Sequence, residues 1–118
     1  MKSKNQKLEK IARVMALKRR RADLELSKLI ANERALRDGL ADIQDAQKQM
    51  FEPNQEGGIM SAVMRQSWQA WADRQRMQLN QALASVLAEK EVAVAKAKHA
   101  IATENVAKRL KSGGQSRR

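Results

Sequence analysis

A single histidine, His99, three spaced aspartates, Asp38, Asp42 and Asp45, and a run of four bases, Lys18-Arg19-Arg20-Arg21, are the side chains best equipped for chemistry in this sequence. Proton transfer or metal binding at His99 needs a second imidazole, a thiol or a positioned carboxylate. The 118 residues hold one His and no Cys, so His99 reads as a structural or solvent-facing group. The aspartates stand at i, i+4 and i+7 and would share one helical stripe. A helix face supplies no loop oxygens, so that stripe is a poor calcium site and a good solvated face. Gly57-Gly58 follows no strand and precedes no Gly-Lys-Ser/Thr, which excludes a phosphate loop. No catalytic constellation emerges. The chain is expected to be no enzyme, with no cofactor, no metal and no small-molecule substrate.

What remains is surface chemistry. The Lys18–Arg21 run is either a solvated helix face or a contact for an acidic partner or phosphate backbone. Consecutive helical residues point ~100° apart, so the four cannot share one surface. Trp68 and Trp71 stand at i, i+3 and share a face. They read as seam packing near a turn or as an exposed anchor. Met50, Met60, Met64 and Met77 suit an adaptable surface or fill gaps.

The elements that must position these residues are helices. Breakers cluster at Pro53-Asn54-Gln55-Glu56-Gly57-Gly58 and at Ser112-Gly113-Gly114. Between them the chain is rich in Ala, Leu, Lys, Arg, Glu and Gln, the good helix formers. The spacing predicts one domain over 1–118: a helix over about 4–51, a loop over 52–60, a helix over about 61–111, and a disordered basic tail over 112–118. Aromatics are 3% of the chain and hydrophobic residues 42%, too little large apolar volume for a thick core. Patterns this long suggest a coiled coil. Leu8, Met15, Ala22, Leu29, Leu36, Ile43 and Met50 step by seven and are all apolar. The companion row, Ala12, Arg19, Leu26, Glu33, Leu40 and Gln47, is interrupted by polar residues. In the second helix Leu87, Val94 and Ile101 step by seven beside Leu79, Leu83, Val86 and Ala97. The fold class expected is all-α, two long helices in an antiparallel coiled-coil hairpin. The register that pairs most apolar residues sets Met15 opposite Val94, Ala22 opposite Leu87 and Leu40 near Trp71. Glu9/Arg13, Glu33/Arg37 and Glu104/Lys108 are expected as exposed i, i+4 ion pairs.

Charge is uneven. The net value is +11. Residues 1–34 carry 11 basic and 4 acidic side chains, 35–61 carry 2 and 5, and 62–118 carry 11 and 4. A hairpin would gather both basic arms at its open end and leave an acidic, Met- and Trp-bearing turn. No run of ~18 apolar residues spans a membrane and no apolar secretion signal is visible, so a cytoplasmic location is expected.

With Leu17-Lys18-Arg19-Arg20-Arg21 early in the first helix, and Gly57-Gly58-Ile59 leading into a helix with Trp68, Trp71 and a Gln/Arg-rich stretch to Leu79, the chain resembles the FliJ/YscO family. These are stalk proteins of flagellar and virulence type III protein export. The likeness is architectural and covers about residues 4–111. It implies a non-enzymatic stalk, at the inner membrane's cytoplasmic side, linking a hexameric export ATPase ring to the membrane export gate. It also implies export chaperones as partners and a place in bacterial flagellum biogenesis and motility. It would give Lys18, Arg19, Arg20, Arg21, Lys108, Arg109 and Lys111 to the ring, and Leu40, Ile43, Gln47, Met50, Trp68 and Trp71 to the gate. Two other readings stand beside it. A basic helical hairpin can bind nucleic acid, because phosphate contacts dominate such affinity. A two-helix coiled coil can also self-associate into a four-helix bundle.

Overall fold

The computed structural model describes residues 2–51 and 62–116. The expected loop at 52–60, with Gly57-Gly58-Ile59 and Met60, lies outside the described residues, as do Arg117 and Arg118 of the expected tail. The chain is an all-α hairpin of two long helices, α1 over Lys2–Met50 and α2 over Ala62–Ser116. Among the described residues there is no strand. The last turn of α1 is still closed at Phe51, whose N–H donates to the Gln47 carbonyl at 3.2 Å. Pro53 then disfavours helix in the residue before it. The helix expected to end at Lys111 continues to Ser116, through Gly113-Gly114. Each glycine costs about 1 kcal/mol against alanine in a helix interior, which weakens a helix without ending it.

Two compact units divide the chain. A terminal unit combines Met1–Ile30 with Glu89–Arg118, and a medial unit is Ala31–Ala88. The helices run antiparallel in each. In the terminal unit Ile11 lines a groove with Leu110, while Glu25 lines the adjoining groove with Val92. In the medial unit Phe51 meets Trp68 and Gly39 lies against Leu79.

On α1 both seven-residue rows face inward. In the terminal unit Leu8, Ala12, Met15, Arg19, Ala22, Leu26 and Leu29 are all at least partly buried. In the medial unit so are Glu33, Leu36, Leu40, Ile43, Gln47 and Met50. On α2 the inward row differs from the expected one. Ala93, Ala97, Ala100 and Ala107 form the buried side of the terminal unit, and Ala72 is fully buried in the medial unit. Leu87, expected in the seam, is 37% exposed. The register differs with it. Met15 shares a groove with His99, Thr103 and Ala107 in place of Val94, and Gly39 finds Leu79 where Trp71 was expected near Leu40. The physical reason is the alanine row. Small side chains let helix axes approach, and interaxial distance follows the side chains at the contact. Val94 and Ile101 are left half-buried on one flank. The core is thin: no large side chain among the described residues is fully buried.

Gly39 gives a simple test. A Cβ there would meet the Leu79 methyls at 3.5 and 3.7 Å, ordinary van der Waals contact. Gly39→Ala is expected to stabilise the chain by about 0.5–1 kcal/mol, by removing backbone entropy from the unfolded state. Thermal melting followed by circular dichroism reads it; an unchanged or lowered midpoint would show that the two helices cannot accept the methyl.

Candidate functional site

Electrostatics separate the two units sharply. The terminal unit holds 18 Lys and Arg against 6 Asp and Glu, net +12. The medial unit holds 6 against 7, net −1. The chain's entire positive excess thus belongs to the terminal unit. Repulsion on this scale opposes packing of like copies and favours anionic surfaces.

Within the terminal unit the basic run divides by helical position. Arg19 occupies the interrupted inner row and reaches across to α2. Its Nη1 donates to Glu104 Oε2 at 3.1 Å, and its Nε lies 3.7 Å from Asp23 Oδ2. Lys108 Nζ approaches the other Glu104 oxygen at 3.1 Å. Glu104 was expected on an exposed face with Lys108; it is buried, at 5% exposure, between two cations. Hydrogen bonds from Lys108 and then Arg19 hold its carboxyl below the usual carboxylate range, against the opposing effect of burial. Of the seven bases given to the ring, Arg19 and Lys108 therefore serve an internal contact. Lys18, Arg20, Arg21 and Arg109 are exposed. Arg21 is strongly exposed, with 83% of its side chain open and a 3.8 Å contact to Glu25. Lys111 is half-buried.

The medial unit shows the same logic. Gln47, the polar interruption near the end of α1, accepts from Arg76 Nη2 and donates to Gln69 Oε1 at 3.5 Å. Gln69 donates in turn to Asp73 Oδ1 at 3.0 Å. Arg76 is also 3.6 Å from that carboxylate oxygen. Beside this network stands an aromatic triad. Phe51 meets Trp68 edge-on, with centroids 6.4 Å apart and planes at 72°, and Trp68 lies 6.4 Å from Trp71 at 44°. Such pairs hold beyond their buried area. Trp68 is half-buried while Phe51 and Trp71 are each 46% exposed, with Val63 and Met64 open as well. Of the residues given to the gate, Trp71 is the most open, Leu40 and Met50 are partly covered, and Ile43 is the most deeply buried large side chain.

Sequence reasoning missed Gln69, Arg76 and Glu104 as inward residues. The signal lay in their spacing. Gln69, Arg76, Leu83, Lys90, Ala97, Glu104 and Lys111 step by seven along α2, and all are at least partly buried. Polar members of that row answer polar members of the α1 row: Gln69 and Arg76 contact Gln47, and Glu104 contacts Arg19. Among the described residues no group of three or more His, Cys, Asp or Glu could hold a metal ion. No helix among them is long and apolar enough to cross a membrane.

Fold and site together define a two-helix coiled-coil hairpin protein that offers charge and exposed apolar side chains. Comparison with protein-family models, with curated proteins and with solved structures returns no match.

Proposed function

We propose that the chain is a non-enzymatic connector, a stalk of the kind found in flagellar or virulence type III protein export. The observation that supports it is the division of the molecule: net +12 in the unit that carries both chain ends, and −1 in the unit that carries Phe51, Trp68 and Trp71. A connector between two partners needs two chemically distinct surfaces, one steering an anionic partner and one anchoring by aromatic burial. In this reading the terminal unit enters the export ATPase ring through Lys18, Arg20, Arg21 and Arg109. The medial unit meets the membrane gate through Trp71 and its neighbours, and export chaperones bind alongside. The protein performs no chemistry; it couples ATP hydrolysis in the ring to the gate.

The test uses the full chain with a purified hexameric export ATPase and the cytosolic part of an export gate protein, with duplex DNA and RNA as controls. Arg20→Glu/Arg109→Glu is expected to weaken ATPase binding and stimulation by about tenfold, the effect of losing one good interface contact, and to spare the gate. Trp71→Ala is expected to do the reverse. If neither partner binds the wild-type chain, and RNA binds with a steep salt dependence, the stalk reading fails and the nucleic-acid reading replaces it.

A further inference from the structure

The terminal unit carries a second pair of heptad rows that the hairpin itself does not use. On α2, Val92, Ala95, His99, Ala102 and Val106 recur at alternating steps of three and four, one position away from the buried alanine row. That spacing is the signature of a packing seam. Here the seam is open: Val92 is 56% exposed and Val106 53%. On α1 the equivalent row is Ile11, Val14, Lys18, Arg21 and Glu25, all exposed. Residues of both rows line one flank. Two adjoining grooves of about 310 and 720 Å³ run along it and share Met15, His99 and Thr103. The stretch of α2 from Val92 to Leu110 that lines them is about 27 Å long at ~1.5 Å per residue, some three heptads. Its floor is apolar towards Ile11 and Leu110. Towards Val92 it is walled by Lys18, Arg21 and Lys96, with Glu25 as the one acid among the lining residues.

We infer that this flank is the docking seam for an acidic amphipathic helix of a partner protein, which packs as a third strand of the coiled coil. A helix seats its own apolar row on Val92, Ala95, Ala102 and Val106, by the helix-in-groove mode. Its Glu and Asp residues at the flanking positions face Lys18, Arg21 and Lys96. Charge complementarity selects this occupant. A second terminal unit would bring +12 against +12, and its own rows offer Lys and Arg where the groove calls for acid. Nucleic acid has no use for an apolar floor that lacks aromatic stacking platforms. The inference does not rest on the stalk reading and holds whichever assembly the chain serves.

The probe is a designed peptide of about three heptads, with Leu and Ala on the seam face and Glu at the flanking positions. A twin carries Lys in place of each Glu. Fluorescence anisotropy with the full chain is expected to show saturable binding of the Glu peptide, at least about tenfold tighter than the Lys twin. Val92→Asp/Val106→Asp places two charges on the floor at positions already more than half exposed, so the hairpin persists by circular dichroism while Glu-peptide binding is lost. Lys18→Glu/Arg21→Glu is expected to reverse the preference and bind the Lys twin. Equal binding of both peptides, absence of saturation, or Glu-peptide binding unchanged in Val92→Asp/Val106→Asp would overturn the inference. So would a wild-type dimer in sedimentation equilibrium that those substitutions dissociate, since the occupant would then be a second copy. RNA that competes the peptide off and outlasts the loss of Val92 and Val106 would overturn it as well.

Discussion

Ile43→Ala is expected to destabilise the protein by about 2–3 kcal/mol, the lower part of the range for removing a large aliphatic side chain from a core. Ile43 is 8% exposed, and the other buried apolar residues among those described are alanines. The medial unit therefore depends on it out of proportion to its size. Its neighbours on the inner rows, Leu36, Leu40 and Met50, are only partly covered, so each contributes less when truncated. A loss of this size is a large share of the total for a chain of 118 residues, because domains are stable by only about 5–15 kcal/mol. The midpoint of thermal unfolding should fall by on the order of 10 °C. Leu24→Ala is the matched control: Leu24 is exposed, and a surface substitution of this kind stays within about 0.5 kcal/mol. Equal losses at the two positions would mean that α1 does not bury the face its sequence pattern selects. The result also bears on function. A deeply buried Ile43 is a packing residue first, so under the proposed stalk reading any loss of partner binding in Ile43→Ala should track loss of helix, whereas a loss in Trp71→Ala should leave the circular dichroism unchanged.

The first helix was readable from sequence because its two inner rows differ from their neighbours in hydropathy. Leu8, Met15, Leu29, Leu36 and Ile43 recur at seven-residue steps, and the polar members of the companion row mark its weak points. The second helix was harder. Its seam is made of alanine, and alanine is common on every face of α2, so period alone could not separate inside from outside. The seven-residue pattern favours Leu87, Val94 and Ile101, which are larger, but Leu87 is exposed and the other two are only half-buried. Register is hard to read for the same reason: matching large apolar residues gives a different pairing, while the alanine row sets the approach and polar contacts cross the seam within each unit, Arg19 with Glu104 and Gln47 with Arg76 and Gln69. Buried polar residues are the best-attested means of specifying register in coiled coils. The aromatic triad was legible in part, since the i, i+3 spacing of Trp68 and Trp71 places them on one face. The addition of Phe51 depends on where α1 ends.

Glu104→Lys is expected to undo the terminal unit. It replaces the one buried acid among the described residues with a third cation beside Arg19 and Lys108, in a unit that is already +12. Arg19 and Lys108 keep 41% and 62% of their side chains open to solvent, so the loss comes chiefly from placing a cation at the covered Glu104 position, where it meets direct repulsion from both. The thermal midpoint should fall further than for Glu104→Gln, which keeps the shape and one acceptor oxygen but loses the charge and turns the second acceptor into a donor. Arg19→Glu/Glu104→Arg should recover part of the loss, because the swap restores opposite charges across the seam while setting position 19 against Asp23 and position 104 against Lys108; no recovery at all would show that the contact across the seam does not stabilise the unit. The pH dependence follows from the direction of the shift. Glu104 ionises more readily in the folded protein than the value of about 4.3 usual for an unfolded glutamate. Its contribution is therefore fully present above that value and disappears as pH falls through the lowered folded-state value. Wild-type stability should decline with acid over that window more steeply than the Glu104→Gln variant, and the two curves should converge at the lowest pH. Parallel curves would mean that Arg19 and Lys108 do not stabilise the carboxylate, and that a different contact sets the register of the terminal unit.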